Sequence, residues 1–434
     1  MSTAMLGLNE GAGVSASPRR DFEAIAWQAT RWLTVLIGFS IPVSTSLSEI
    51  ATSLFLVFWF AGDWRGRCRT LTHNPVARLS LVLFMVLLAG TTWSSATWVE
   101  AFRCLLKYRE LIYLPLLIPV FQDPQLKMLG MRGFALGALG MLGLSYFEWL
   151  SGTDVGIASS PNDYVIGKDR IIHSLLLALL AYFAAQELAR GAAHRWWHVL
   201  VIALAVPNIL FMVQGRTGYL LLGLLTILCL AQQFGRRGMI VACLLVGSVA
   251  CGAYAVSETV QARVAQTILQ LQNKFGMTTE KVWDPRLEYY TYTAQLIARH
   301  PLLGTGTGSF SREYLPLVLA HNLATSTDPH NEYLHLAVQG GIPTAGLFIA
   351  LLALQWRCAG RLPEWESRIG RGLVLAIAVG SLFNSLILSV TGGLVWSYFS
   401  AIAFAGLSSA RTSGEISPST SEAALADQSP RVAA

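Results

Sequence analysis

Apolar residues run in blocks of roughly 17–25 along most of this chain, the length of an α-helix that crosses a bilayer. About twelve such blocks stand out, near residues 30–47, 49–63, 76–94, 105–121, 131–150, 171–189, 196–213, 217–234, 238–256, 339–357, 372–389 and 392–409. Only the patch around Ser48 and Glu49 separates the first two. The segment 257–338 differs. Val260, Val264, Ile268, Leu271 and Phe275 recur there at helical spacing, which predicts an amphipathic helix. Asp284-Pro285 predicts the start of a second helix, because Asp caps and Pro suits the first helical position; it ends at His300-Pro301. Gly304, Gly306 and Gly308 then suggest a flexible turn, and Asp328-Pro329-His330-Asn331-Glu332 leads into the tenth block. The pattern therefore predicts an all-α polytopic membrane protein. Its parts are an N-terminal segment (1–22), nine helices (23–256), a large helical loop (257–338), three helices (339–409) and a disordered tail (410–434).

Length alone, at 434 residues, would allow two or three soluble domains. Composition overrules it. Residues of the AVILMFWYC set make up 53% and charged residues 13%, against about 25% charge in soluble domains. A disordered chain, a disulfide scaffold and a nucleic-acid binder are excluded. The net charge of +6 is spent on topology: Lys and Arg gather in every second loop, at Arg65/Arg67/Arg69/Arg78, Lys127/Arg132, Arg190/Arg195, Arg236/Arg237 and Arg357/Arg361/Arg368/Arg371. This alternation places both termini in the cytoplasm and the long loop on the opposite, outward face. Residues 1–20 lack a compact apolar core, so the first block is the expected insertion signal rather than a cleaved peptide. The six cysteines show no metal spacing and read as filler within apolar helices.

Several residues carry candidate chemistry. Arg216, in Gln214-Gly215-Arg216-Thr217, sits at the outward boundary, where an ionisable group is either a functional element or an arginine snorkelling to headgroups. Arg286 opens a loop helix, a place suited to bidentate phosphate binding, or it is an exposed helix-face arginine. Lys107 and Arg109 end the fourth block beside Glu110; they bind an acidic substrate or pair with Glu110 and lipid phosphates. His330 is the proton-transfer candidate, since imidazole titrates near about 6.5. His330 and His335 lack the spacing of a helical metal-binding pair, and no HExxH or carboxylate cluster is present, so neither metal nor cofactor is expected. Arginines without a metal suggest a lipid-linked diphosphate as substrate.

The string His330-Asn331, nine residues, then Gly341-Ile342-Pro343-Thr344 resembles the signature of the O-antigen ligase superfamily. Arg286 with Tyr289, Tyr290 and Ala294, followed by His300-Pro301-Leu302-Leu303-Gly304, resembles the large-loop motif of that family, and Gln214-Gly215-Arg216-Thr217 its arginine motif at a membrane edge. The resemblance implies a C-type glycosyltransferase-like fold and an inner-membrane enzyme of a Gram-negative bacterium working at its periplasmic face. It implies transfer of a glycan from undecaprenyl diphosphate to lipid A–core oligosaccharide, with inversion and without a metal. Arg216 and Arg286 then hold the diphosphate, and His330 accepts or orients the acceptor proton. Lys107, Arg109, Tyr289, Tyr290 and Asn331 are expected to contact substrate. The related O-antigen polymerase is the nearest alternative, and a transporter of lipid-linked glycan the alternative of another class. One large loop rather than two favours the ligase.

Overall fold

A computed structural model describes residues 18–62, 64–153, 163–213, 215–256, 258–274, 285–321, 323 and 325–408. The expected tail, most of the N-terminal segment, and Gln214, Phe275 and Asp284 lie outside the described residues. The chain is 82% helix with no strand among the described residues. Helix α1 (Pro18–Val43) meets α2 (Thr45–Ala61) at Ser44, whose extended backbone and side chain cap α2 through the Leu47 N–H. The break expected at Ser48–Glu49 is thus four residues earlier, where a cap is available. After α3 (Trp64–Thr72), Asn74 caps α4 (Pro75–Gly90) and also donates to the Phe404 carbonyl. A reciprocal Thr97–Glu100 capping box opens α5 (Trp98–Lys107). Then follow α6 (Glu110–Leu117), α7 (Pro124–Ser151), α8 (Arg170–Ala189) and α9 (Arg195–Pro207), the last running into a π-helical turn over Asn208–Met212.

The helix α10 (Arg216–Val256) is a hairpin. Gly235 takes φ 59° and ψ −140°, and a side chain on Gly223 would stand 3.3 Å from Val246, so the two arms fold back on each other. The sequence expects a loop at that point, and glycine supplies the left-handed turn. The remaining helices are α11 (Glu258–Lys274), α12 (Pro285–Arg299), α13 (Phe310–His321), α14 (Glu332–Ala359), α15 (Glu364–Gly380) and α16 (Val390–Phe404).

Six helical stretches among the described residues are long and apolar enough to cross a membrane, and α2 and α4 are shorter apolar helices. The chain is a multi-pass membrane protein. At its centre α16 and α8 are almost wholly buried, whereas α10, with most of its side chains exposed, lies on the rim. Phe134, Phe183 and Phe399 interlock in that centre, with ring centroids 4.8–4.9 Å apart where Phe399 meets the other two. Helix α7 packs on α1 through small residues: a side chain on Gly133 would stand 2.8 Å from the Val35 carbonyl. Cys229 and Cys358 are core filler as expected, but Cys243 and Cys251 point outward from the rim helix.

Contacts between connections tie the helices together at several places. Arg31 pairs with Asp123 and Lys127 with Glu366, and Trp365 donates to Glu187. Elsewhere Thr307 donates to the Gly90 carbonyl and Lys168 to the Thr391 hydroxyl. Three expected blocks differ in detail. The fourth is two helices parted at Tyr108–Arg109. The tenth begins at Glu332, before the expected start, and bends at Gly340–Gly341. The eleventh stops at Gly380, leaving Ser381–Ser389 irregular. All three departures surround one polar region, where side chains supply the hydrogen bonds that regular helix would.

Candidate functional site

His330 stands immediately before the capping residue of α14. Its backbone is left-handed (φ 53°), a conformation that carries a penalty for any residue with a Cβ. Asp328 holds it there. The His330 N–H donates to Asp328 Oδ1 at 2.8 Å, and the ring Nδ1 lies 3.6 Å from the same oxygen. Ser385 fixes that carboxylate by donating to it at 2.7 Å. The imidazole is tilted over the Tyr289 ring at 5.6 Å, and 41% of its side chain is exposed. An accessible imidazole oriented by a carboxylate is the arrangement a general base needs.

The other expected residues of this part divide. Tyr290 donates to the Leu382 carbonyl at 2.7 Å, and its oxygen is 3.4 Å from the His330 carbonyl. It thereby ties α12 to the irregular segment behind the histidine. Asn331 caps α14 through the Leu334 N–H and donates to the Leu382 carbonyl, so its side chain is committed to structure. Tyr289 is buried, and that burial raises its phenol above the ordinary value, keeping it a donor at neutral pH.

Glu332, a residue that sequence reasoning passed over, organises what lies beneath. It is fully buried and accepts from Tyr108 (2.9 Å) and from the Ile387 (2.9 Å) and Leu388 (3.2 Å) N–H groups, while its own N–H donates to the Ser381 carbonyl. Gln339 continues the network, donating to Tyr108 Oη and accepting from the Gly308 N–H and the Cys104 thiol. An ionisable residue within an apolar helix is itself a signal. It was hidden because Glu332, His335 and Gln339 depress the hydropathy of the first two turns of α14.

The glycine turn is clamped, not flexible. Its N–H groups at Gly304, Thr305, Gly306, Thr307 and Gly308 donate to His300, Val338, Gln339, Gly90 and the Gln339 side chain. They form no anion nest, because each is already used. Gly306 (φ 94°) lies against the Ser94 backbone, where a side chain would collide. Gly306→Ala is therefore expected to lower stability by about 2–3 kcal/mol, read as a depressed Tm in detergent.

The basic residues do not share one role. Arg109 pairs with Glu49 and lies 3.6 Å from buried Glu110, so the pairing alternative holds for it. Arg109→Ala should destabilise the protein by about 1 kcal/mol through loss of the Glu49 pairing, with little effect on substrate affinity; thermal unfolding and KM separate the two. Lys107 is exposed in the last turn of α5, one turn after Cys104. Arg286 lies in the first turn of α12, three residues before Tyr289. Arg216 opens α10 and donates to Thr267 of α11 at 3.0 Å. The histidine is thus brought together with the α12 tyrosines, while Arg216 is anchored to the loop's first helix. Between α9, the two arms of α10 and α11 lies an apolar cavity of about 450 Å³ whose walls include Tyr219 and Val264, each one helical turn from the Arg216–Thr267 contact. Among the described residues no group of three or more His, Cys, Asp or Glu is placed to hold a metal.

No curated protein matches this chain. Residues 199–349, which contain Arg216, Arg286 and His330, match the O-antigen ligase family model, and this match supports an O-antigen ligase-type superfamily for the chain.

Proposed function

We propose that this protein is an O-antigen ligase of a bacterial inner membrane. It crosses the bilayer about twelve times, with segment 257–338 on the periplasmic face, and transfers glycan from undecaprenyl diphosphate to lipid A–core oligosaccharide. The observation that carries the reading is the exposed His330, oriented by Asp328 at the junction of loop and membrane helix within the matched region. A hydroxyl of the acceptor sugar attacks the anomeric carbon of the donor. Its proton passes to the His330 imidazole as the bond from that carbon to the diphosphate oxygen breaks, and single displacement inverts the centre. Arg216 and Arg286 bind the diphosphate and stabilise the charge it gains on leaving. The apolar cavity one turn from Arg216 suits the polyprenyl chain, with the anionic head at the arginine.

The test is transfer of an undecaprenyl-diphosphate glycan to purified lipid A–core, by the full chain in detergent with EDTA. Product that persists under chelation supports the reading. Arg286→Ala is expected to reduce the rate by about 10²–10³, the usual loss for one aimed donor. Elongation of the lipid-linked glycan without transfer to core would identify a polymerase, and neither product would return transport to first place.

A further inference from the structure

A second cavity, of about 520 Å³, opens on the loop beside the histidine. Five of its lining side chains end in hydroxyls: Ser311, Tyr314, Thr325, Ser326 and Thr327. Leu315 and Val318 supply an apolar surface, and none of the lining residues is charged. Tyr314 is the unusual member. Its ring stacks on Phe310 (5.3 Å, 13°) and meets Tyr289 edge-on at 5.9 Å. The residue is 1% exposed, yet its hydroxyl has no hydrogen-bond partner among the described residues. A buried hydroxyl left unmatched is costly, and native proteins rarely keep one without a use. Burial pushes this phenol up to about 12, so it stays a donor at neutral pH.

The cavity is joined to the histidine in two ways. The rings of Tyr314, Tyr289 and His330 form a continuous relay. Ser326, on the cavity wall, donates to the Asp328 carbonyl at 2.6 Å, two residues before His330. A phosphate would call for guanidinium groups or a nest of N–H groups, and this lining offers neither. A sugar presents hydroxyls at its rim and C–H groups on its faces, and needs what is here: short hydroxyl side chains, an apolar wall and one committed donor.

We propose that this cavity is a subsite for a neutral sugar residue next to His330, with Tyr314 donating to a sugar oxygen. The inference rests on the glycan-transfer reading and deepens it. The sugar belongs either to the donor glycan or to the acceptor core, and the experiment separates them. Core oligosaccharide is released by mild acid from lipopolysaccharide that carries no O-chain, and the core-free donor glycan by mild acid from its undecaprenyl diphosphate carrier. Each is titrated against the full chain in detergent and followed by saturation-transfer NMR.

One of the two should bind. Tyr314→Phe and Thr325→Val should each weaken that binding about tenfold, the usual worth of one hydrogen bond, and the double variant that combines them about a hundredfold. Tm should not fall in Tyr314→Phe, since the hydroxyl has no partner to lose. In the transfer assay, KM for the same glycan source should rise by a similar factor with kcat nearly constant. Wild-type affinity in the double variant, or no sugar bound by the wild type, would overturn the subsite. Sugar binding without transfer to lipid A–core would instead sink the ligase reading and leave the subsite standing. Transfer with unchanged KM in the double variant would do the reverse.

Discussion

His330→Ala should reduce glycan transfer by about 10²–10⁴, the range that a positioned general base contributes, while the protein stays folded. The histidine is 41% exposed and makes one ring contact, with Tyr289, besides its approach to Asp328. Removing the imidazole therefore costs little packing. Asp328→Asn probes the same element through its orienting partner. The amide oxygen can still accept the His330 N–H, so the loop is preserved, but the negative charge beside Nδ1 is lost. A smaller loss than in His330→Ala, falling on kcat, is the expected pattern. Single-turnover rates with saturating donor measure both. Full transfer activity in His330→Ala would remove the histidine from the chemistry.

The largest expected stability effect lies one turn deeper. Glu332→Ala should destabilise the protein by about 3 kcal/mol, because three donors lose their acceptor in a place water does not reach. The Ile387 and Leu388 N–H groups belong to a break between helices, so no neighbouring turn can take them. Glu332→Gln keeps one carbonyl oxygen for those two N–H groups and sacrifices mainly the Tyr108 bond, for a cost of about 1 kcal/mol. Thermal unfolding in detergent distinguishes these values. If Glu332→Ala melted like the wild type, the carboxylate would not be holding the 381–389 segment.

Most of the helices were legible because burial in lipid or protein writes long apolar runs, and each run marked in the sequence overlaps a helix. What remained hidden depended on partners far apart in sequence. Glu110 beside Arg109 was visible as a pair, but Glu49, the second carboxylate on that arginine, arrives from a different helix. The glycine turn reads as flexible because glycine is permissive in any unfolded chain; only the assembled fold shows that its N–H groups are all engaged. Helix α14 begins before its apolar run for a related reason. Glu332 and Gln339 are polar residues satisfied by other polar residues, and a hydropathy window counts only their aversion to lipid. Of the expected site residues, Asn331 shows the same limit: its type was right for the motif, and its atoms serve as a helix cap.

The left-handed backbone at His330 has a genetic corollary. Asparagine enters that conformation more readily than other side chains with a Cβ, and its codons differ from those of histidine by a single base. A single-base substitution at this position would thus erase the imidazole without disturbing the loop. The resulting allele would yield normal amounts of well-folded protein in the membrane and, on the proposed reading, far less product, a phenotype that abundance measurements alone would miss.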